Sequence, residues 1–178
     1  MKYVLVYLLS GEAKKYNERL MKETADISGE RHVVDVSQLP SHVTIKSPFE
    51  FSSYKKLESF LKGFTANRIK AKIDVNGFGN FRRFVSFMKT DFSKEAKKTQ
   101  RELVRDLETE LEIKPHEFDV KHKPHATICY GNTKETFDII WNYLRTQKKP
   151  KYSLSLDNLT LLYKPKGKWK VKKRFNLI

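Results

Sequence analysis

Residues 42–45 read His-Val-Thr-Ile, and residues 125–128 read His-Ala-Thr-Ile. One frame of histidine, apolar residue, threonine and apolar residue therefore occurs once in each half of the chain. Alternate side chains of a β-strand lie on the same face. If both segments are strands, each histidine shares a face with its threonine, and the apolar residues point to the other face. Two such strands around a pseudo-twofold axis would line one cleft with two imidazoles and two hydroxyls.

The segments that follow the first frame (42–45) and the second frame (125–128) are also alike. Apolar residues at helical spacing come first: Leu57, Phe60 and Leu61 after the first frame, and Ile140, Trp141 and Leu144 after the second. An alternating strand pattern comes next, as IKAKID at 69–74 and YSLSLD at 152–157. This repeated order of strand, helix and strand predicts a duplicated unit.

Strands and helices alternate in the rest of the chain. Extended patterns predict further strands over 3–9, 32–36, 83–88, 158–163 and 168–177. Apolar stripes predict helices over 11–26, 54–64, 93–112 and 134–146. The glycines of Gly77-Phe78-Gly79-Asn80-Phe81 predict a bend between two strands.

Composition narrows the class of protein. The 178 residues suit one domain or two small lobes, and the net charge of +15 favours polyanionic partners, with nucleic acid ahead of a membrane surface. Cys129 is the only cysteine, so no intrachain disulfide forms and a reducing, cytoplasmic setting is expected. The apolar run Tyr3–Leu9 is far shorter than the ~20 residues of a spanning helix, and we interpret it as a buried strand rather than a signal peptide.

The chemistry that such a cleft suits follows from its proton donors and acceptors. Opening a cyclic phosphodiester with water requires one group that accepts a proton from water and another that protonates the departing ribose oxygen. Two histidines with pKa values near ~6.5 can hold these complementary forms near neutral pH. The Thr44 and Thr127 hydroxyls can donate to the phosphate oxygens and align the phosphorus. Lys46, two residues after Thr44, is predicted on the same face, where it would offset phosphate charge.

Two frames of this kind, one in each half of a chain of this size, resemble the 2H phosphoesterase superfamily. The likeness is to its LigT-like branch of 2′-5′ RNA ligases and 2′,3′-cyclic phosphodiesterases. The stretch IDVNGFGNF-RRFVSFM at 73–88 is similar to the family's strand, Gly-x-Gly-x-Phe bend and strand, and 159–177 looks like its closing hairpin.

The resemblance implies a fold and a set of functional residues. The fold is α+β and bilobal, with a pseudo-twofold duplication, two antiparallel sheets flanking a central cleft, and helices on the outer faces. One domain over 1–178 would consist of two intertwined lobes, each with one frame. His42, Thr44, His125 and Thr127 are the residues carried over from the family. Cys129 stands where many members have another residue, which puts a cationic phosphate contact from the second frame in doubt.

We therefore expect an RNA phosphodiesterase that needs no metal and no cofactor and hydrolyses 2′,3′-cyclic phosphate ends to 2′-phosphates, with His42 and His125 as acid and base. The same site would suit a 2′-5′ oligonucleotide phosphodiesterase or a 2′-5′ RNA ligase. A non-catalytic RNA-binding module is the alternative from another class. We expect a monomer that binds RNA or a small nucleotide and does not bind a membrane. Four aromatic residues near the frames or the hairpins are candidate substrate contacts: Phe49, Phe81, Tyr130 and Tyr163.

A metal pair is the competing interpretation of His122 and His125, with His32 or His116 as a third ligand. Pro124 argues against a helix that would bring the pair to one face, and no carboxylate or cysteine spacing supports a metal site. The matching frames therefore favour acid–base chemistry. His32, His116 and His122 are expected on exposed loops or strands.

Overall fold

The structure is a computed structural model that describes residues 1–30, 33, 35, 38–130 and 134–178. The strands are β1 (Lys2–Leu8), β2 (His42–Glu50), β3 (Ala71–Phe81), β4 (Val85–Phe92), β5 (His125–Tyr130), β6 (Lys151–Leu156), β7 (Asn158–Tyr163) and β8 (Lys170–Asn176). The helices are α1 (Gly11–Ser28), α2 (Tyr54–Ala66), α3 (Lys94–Leu111), α4 (Glu117–Val120) and α5 (Lys134–Thr146), with a 3₁₀ turn at Pro165–Gly167. Of the strand predicted over 32–36, residues 32, 34 and 36 lie outside the described part, and residues 33 and 35 are helical.

Local sequence signals begin and end several of these helices. The Ser53 hydroxyl accepts a hydrogen bond from the backbone N–H of Lys56, and the Ser93 hydroxyl accepts one from that of Ala96. Such caps satisfy backbone donors that have no partner inside the helix. α1 ends at Gly29, whose φ of 63° lies in the left-handed region that glycine tolerates. Among the described residues, no helix is long and apolar enough to cross a membrane.

All eight strands belong to one antiparallel sheet, in the order β6-β3-β4-β5-β2-β1-β7-β8. The α+β prediction is confirmed, but the prediction of two separate sheets is wrong. β2 and β5 meet at the centre, where Val43 pairs with Ala126, and this contact joins the two halves into one curled sheet. Pairing the motif strands satisfies backbone groups that two separate sheets would leave open at their edges.

The helices pack on one face of the sheet. α1 contacts β5, α2 contacts β8, and α3 contacts β2, β3 and β4. The main core lies between these helices and the sheet, and it includes the apolar residues of both frames: Val43, Ile45, Ala126 and Ile128, each 0% exposed. Burying one valine or isoleucine side chain contributes roughly 1.5–3 kcal/mol. Because the core covers this face of each motif strand, the opposite face, which carries the histidines and threonines, remains open.

The turn between β3 and β4 lies at residues 82–84 and not at the predicted bend. β3 continues through both glycines to Phe81. Gly77, with a φ of 74°, marks an irregularity in the pairing of β3 with β4, and the turn uses Arg82 and Arg83 at φ values of 49° and 59°. Glycine favours bulges and turns for the same conformational reason, so the sequence alone did not separate the two.

The predicted repeat holds for its first two elements and fails for the third. Each frame is a strand that is followed by a helix, as expected. β3 and β6, which the repeat matches to each other, are instead neighbours in one half of the sheet, where Ala71 pairs with Leu156. The chain crosses to the other half after α2 and stays in the same half after α5.

Candidate active site

The polar side chains of the two frames lie on one face at the centre of the sheet. β2 and β5 pair through one apolar residue of each frame, so His42 and Thr44 flank that pair on one strand, and His125 and Thr127 flank it on the other. All four are partly exposed, while the intervening apolar residues are buried. The two histidines are near enough that the charge of His125 lowers the pKa of His42. The structure thus brings all four predicted residues to one face of the sheet.

The backbone holds both imidazoles in the same way. Nδ1 of His42 lies 2.7 Å from the carbonyl oxygen of Pro40, and Nδ1 of His125 lies 2.8 Å from the carbonyl oxygen of Lys123. Because a carbonyl oxygen only accepts, each Nδ1 carries a hydrogen and donates it. The lone pair of each neutral ring is therefore on Nε2. Two equivalent contacts give the rings matching tautomers and orientations.

Burial lowers the pKa of both histidines below the ordinary 6.5. The carbonyls of Pro40 and Lys123 oppose this effect, each on its own ring, and the charges of neighbouring histidines add to it. Both rings are therefore neutral at pH 7 in the absence of a ligand. An anion in the cleft would favour a protonated imidazole, so a bound phosphate would help to supply the acid form.

Lys46 does not line the cleft, which corrects the prediction that it shares the face of Thr44. The pairing of β1 with β2 shifts by one residue at Ile45, and such a bulge resets the alternation of side chains. Lys46 is 1% exposed, and its ammonium lies 2.8 Å from the Asp119 carboxylate. It therefore cannot reach a phosphate in the cleft.

The Asp119 carboxylate ties α4 to the buried side of β2. One oxygen accepts from the Ser47 backbone N–H at 2.6 Å, and the other accepts from the His116 backbone N–H at 2.8 Å. Burial raises the pKa of Asp119, but the hydrogen bonds from Lys46 and these two N–H groups outweigh it and hold the pKa below its ordinary value. This buried pair fixes β2 just beyond the first frame.

Two further side chains hold β2 through its backbone. Gln100 of α3 donates from Nε2 to the carbonyl oxygen of Ile45 at 3.3 Å. Nε2 of His122 lies 2.9 Å from the carbonyl oxygen of Thr44 and donates to it. His122 was expected in an exposed position, but the structure shows a half-buried ring whose pKa is lowered by burial. This hydrogen bond holds the backbone of Thr44 in place.

Asn17 of α1 connects the two frames from the core side. Its side chain is 0% exposed. The Ser41 hydroxyl donates to its carbonyl oxygen at 2.7 Å, and its amide donates to the Thr127 carbonyl oxygen at 3.3 Å. One residue thus contacts the strand entry beside His42 and the centre of the second frame. Sequence reasoning missed Asn17, because nothing in a helical pattern marks a polar residue that will be buried.

A second bulge, in β5, determines the positions of Cys129 and Tyr130. The pairing of β4 with β5 shifts at Ile128, at the point that corresponds to the bulge at Ile45 in β2. Cys129 is consequently buried with Ile128. Tyr130 is 44% exposed and returns to the side of the sheet that carries Thr127, and its ring lies 6.4 Å from that of Phe84.

Of the predicted aromatic contacts, Phe81 lies beside a motif histidine. Its ring meets His125 edge-on at 4.9 Å, and Phe87 of β4, which sequence reasoning missed, lies 5.0 Å from the same imidazole. Gly79 makes room for this arrangement, because a Cβ atom there would lie 2.5 Å from the Phe87 ring. The two phenylalanines and the glycine thereby set the position of His125.

The structure places the other two predicted aromatic residues away from the motif histidines. Phe49 is 8% exposed and packs against Tyr3 in the core at 6.0 Å. Tyr163 pairs with Tyr3, whereas His42 pairs with Leu8, five positions along β1. At ~3.3 Å per residue this places Tyr163 roughly 17 Å along the sheet from the level of His42. Neither residue lines the cleft.

Lys89, rather than Lys46, lies on the sheet face that carries the motif histidines. It is exposed and lies directly across from His125 in the pairing of β4 with β5. Alternation around the buried Met88 puts Lys89 on the same face as His125. The sequence did not indicate it, because the register between two strands is not encoded in either strand alone.

In the described part of the chain, no group of three or more His, Cys, Asp or Glu side chains could hold a metal ion. The nitrogens Nδ1 of His125 and Nε2 of His122 donate to backbone carbonyls. His116 instead caps α4, where its Nδ1 accepts from the Phe118 N–H at 3.2 Å. His32 lies outside the described residues. The predicted metal alternative thus has no set of side chains in the described structure.

One antiparallel sheet packed by helices, with the two histidine frames at its centre, is an α+β fold. Comparison with known proteins gives its family. A sequence model of the 2′-5′ RNA ligase superfamily matches residues 18–168. The chain belongs to this superfamily, which is the 2H phosphoesterase group that its two frames resemble. No curated protein gave a significant sequence match.

Solved structures share the fold along nearly the whole chain. A structure described as a phosphoesterase has a TM-score of 0.65 at 14% identity, covering 99% of this chain and 97% of that one. The structure of TT0787 of Thermus thermophilus has a TM-score of 0.62 at 16% identity, covering 99% of this chain and 98% of that one. LigT of E. coli, in a complex with ATP, has a TM-score of 0.59 at 15% identity, covering 99% of this chain and 96% of that one. At these identities the likeness establishes the fold.

Proposed function

We propose that the protein is an RNA phosphodiesterase that opens 2′,3′-cyclic phosphate ends to 2′-phosphates without a metal. The observation that carries the proposal is the matched pair of imidazoles, His42 and His125. Each donates from Nδ1 to a carbonyl oxygen two residues earlier and keeps Nε2 for a ligand in the shared cleft. Membership of the 2′-5′ RNA ligase superfamily supports phosphoester chemistry at this site.

The reaction needs one neutral and one protonated ring on opposite sides of the phosphorus. The neutral Nε2 accepts a proton from water while the water oxygen forms a bond to phosphorus. The bond from phosphorus to the ribose 3′ oxygen breaks, and the protonated Nε2 donates its hydrogen to that oxygen. The product carries its phosphate on the 2′ oxygen. The near-symmetry of the site suits either histidine to either role.

Two hydroxyls and one ammonium group are the candidates for holding the phosphate. Thr44 and Thr127 lie on the same face as the histidines and can donate to the two non-bridging oxygens. Lys89, across from His125, can offset the phosphate charge. Phe81, at the edge of the His125 ring, is a candidate surface for stacking the terminal base. Tyr130, exposed on the same side, is a second candidate.

The net charge of +15 suits an RNA partner. The single, buried Cys129 suits a reducing compartment, and we expect the protein to act in the cytoplasm as a monomer.

The same cleft would also accept a 2′-5′ linkage, since sealing the cyclic phosphate is the reverse of opening it. A 2′-5′ phosphodiesterase or ligase is therefore the second candidate, supported by the name of the superfamily.

A substrate panel tests the proposal. The protein is incubated with 2′,3′-cyclic mononucleotides, cyclic-ended RNA and 2′-5′ dinucleotides, and the position of the product phosphate is determined by ³¹P NMR. We expect 2′-phosphates from the cyclic substrates, with no loss of rate in EDTA. Cleavage of the 2′-5′ dinucleotides alone would favour the second candidate. RNA binding without any product would indicate a non-catalytic binding module, and loss of activity in EDTA would contradict the metal-independent mechanism.

A further inference from the structure

A cavity of about 980 Å³ begins at Lys123 and Pro124, just before the second frame, and extends across the neighbouring strands. Its walls include Phe81 and Phe87, the two rings that contact His125, and Lys123, whose carbonyl oxygen orients that histidine. The cavity therefore adjoins the proposed reaction centre. Binding sites of this kind commonly occupy about 300–1,000 Å³, so a nucleotide fits without displacing any element.

The charges in this cavity are unbalanced. Its two carboxylates already have lysine partners outside its walls: Asp74 lies 2.7 Å from Lys72, and Asp91 lies 3.1 Å from Lys97. The hydrogen bond from Lys72 holds the pKa of Asp74 below its ordinary value, so this carboxylate is ionised and its charge is paired with that of Lys72.

Three further lysines line the cavity: Lys89, Lys123 and Lys151. All three are exposed, and within the described ranges none of them has an ion-pair partner. Three ammonium groups around one concave space suit a second anionic group, beyond the phosphate that the two histidines would act on.

We propose that this cavity binds the phosphate on the 5′ side of the terminal nucleotide, so that the substrate is the end of an RNA chain rather than a nucleoside cyclic phosphate. This inference rests on the proposed function. With the cyclic phosphate between the two histidines, the terminal ribose leads into the cavity next to His125. The following phosphate then meets the ammonium groups of Lys123, which precedes β5, and of Lys151, the first residue of β6.

The test compares three substrates that differ only on the 5′ side. They are adenosine 2′,3′-cyclic phosphate, the same compound with a 5′-phosphate, and a dinucleotide with the same cyclic end. We expect the 5′-phosphate to raise kcat/KM by about tenfold or more, the effect of one good charge-assisted contact. The dinucleotide should show a similar gain. Equal kcat/KM for the first two substrates would overturn the inference.

Two variants connect the effect to the cavity. In the double variant Lys123→Ala with Lys151→Ala, the ratio of kcat/KM with and without the 5′-phosphate should fall to about one. Lys114 is exposed and does not line the cavity, so Lys114→Ala should leave the ratio unchanged. A ratio preserved in the double variant would assign the 5′-phosphate contact to other residues and overturn the proposal.

Equilibrium binding separates this inference from the proposed activity. The His42→Ala variant, whose turnover should be slower by about 10²–10⁴-fold, is titrated with adenosine 2′,3′-cyclic phosphate with and without the 5′-phosphate. The inference predicts tighter binding with the 5′-phosphate by about the same factor. Lack of hydrolysis in the wild type would contradict the enzyme proposal, while equal affinities here would contradict the cavity assignment.

Discussion

Burial lowers the pKa of His42 and of His125, so the unliganded protein holds both rings neutral at pH 7. Acid–base catalysis by the pair needs one proton on the two rings, and kcat/KM reports the ionisation of the free protein. The singly protonated pair is most abundant between the two lowered pKa values. We therefore expect a bell-shaped profile of kcat/KM with its maximum below about pH 6.5.

The measurement is kcat/KM for a cyclic mononucleotide across the range of pH in which the protein stays folded. The profile of kcat should be displaced to higher pH, because a bound phosphate anion raises the pKa of the ring beside it. A maximum of kcat/KM above pH 7, or a profile with only one limb, would contradict the paired roles.

Gly79 allows the Phe87 ring to lie against His125, and its replacement tests that packing. In Gly79→Ala the new Cβ would lie 2.5 Å from the Phe87 ring, which must move. We expect turnover to fall about tenfold or more, because a small displacement of a catalytic group is costly. Gly63→Ala in α2 is the matched control, since a Cβ there meets nothing within 4 Å. It should leave turnover unchanged and stabilise the helix by up to ~1 kcal/mol.

The residues of the frames were predictable, and those just beyond them were not. The alternation of apolar and polar residues gives the faces of His42 and Thr44 correctly. It fails for Lys46 because one extra residue at Ile45 resets the pattern, and a bulge there has no marker such as glycine. The same reset in β5 buries Cys129.

The buried pair of Lys46 and Asp119 ties β2 to α4, and breaking it should destabilise the fold. Asp119→Asn leaves an ammonium group that is 1% exposed without its counter-charge, which costs about 3–5 kcal/mol. The measurement is the free energy of unfolding in urea at pH 7. Because the pKa of Asp119 is lowered in the fold, the wild type should also lose this contribution below about pH 3.9, the ordinary value of an unfolded aspartate.

An exposed ion pair provides the control for Asp119→Asn. Lys62 lies 4.0 Å from Glu58 on α2, and its side chain is 62% exposed. Lys62→Ala should change the free energy of unfolding by less than about 1 kcal/mol. Equal effects of the two substitutions would show that the Lys46–Asp119 pair has no special structural role.

Helices were easier to predict than the partners of strands. Apolar stripes and the serine caps at Ser53 and Ser93 are local signals, and the predicted helices agree with the structure to within a few residues. Strand pairing depends on residues far apart in the chain. A single sequence therefore did not predict that β3 pairs with β6 or that Lys89 lies opposite His125.

At the scale of the whole molecule, the two halves of the sheet meet at one antiparallel contact. The pairing of Val43 with Ala126 makes one sheet of eight strands and brings both frames to its centre. Asn17 reinforces this contact from the helical side. The strand and helix of each frame could be predicted, but the joining of the sheet could not, since the sequence does not show which strand edges pair.

The most direct test of two-histidine catalysis follows the fate of an RNA with a 2′,3′-cyclic phosphate end. The wild-type protein should convert it to an RNA with a 2′-phosphate, as determined by ³¹P NMR. His42→Ala and His125→Ala should each lower the rate by about 10²–10⁴-fold while binding of the RNA persists. A 3′-phosphate product, or wild-type rates in either variant, would contradict the account.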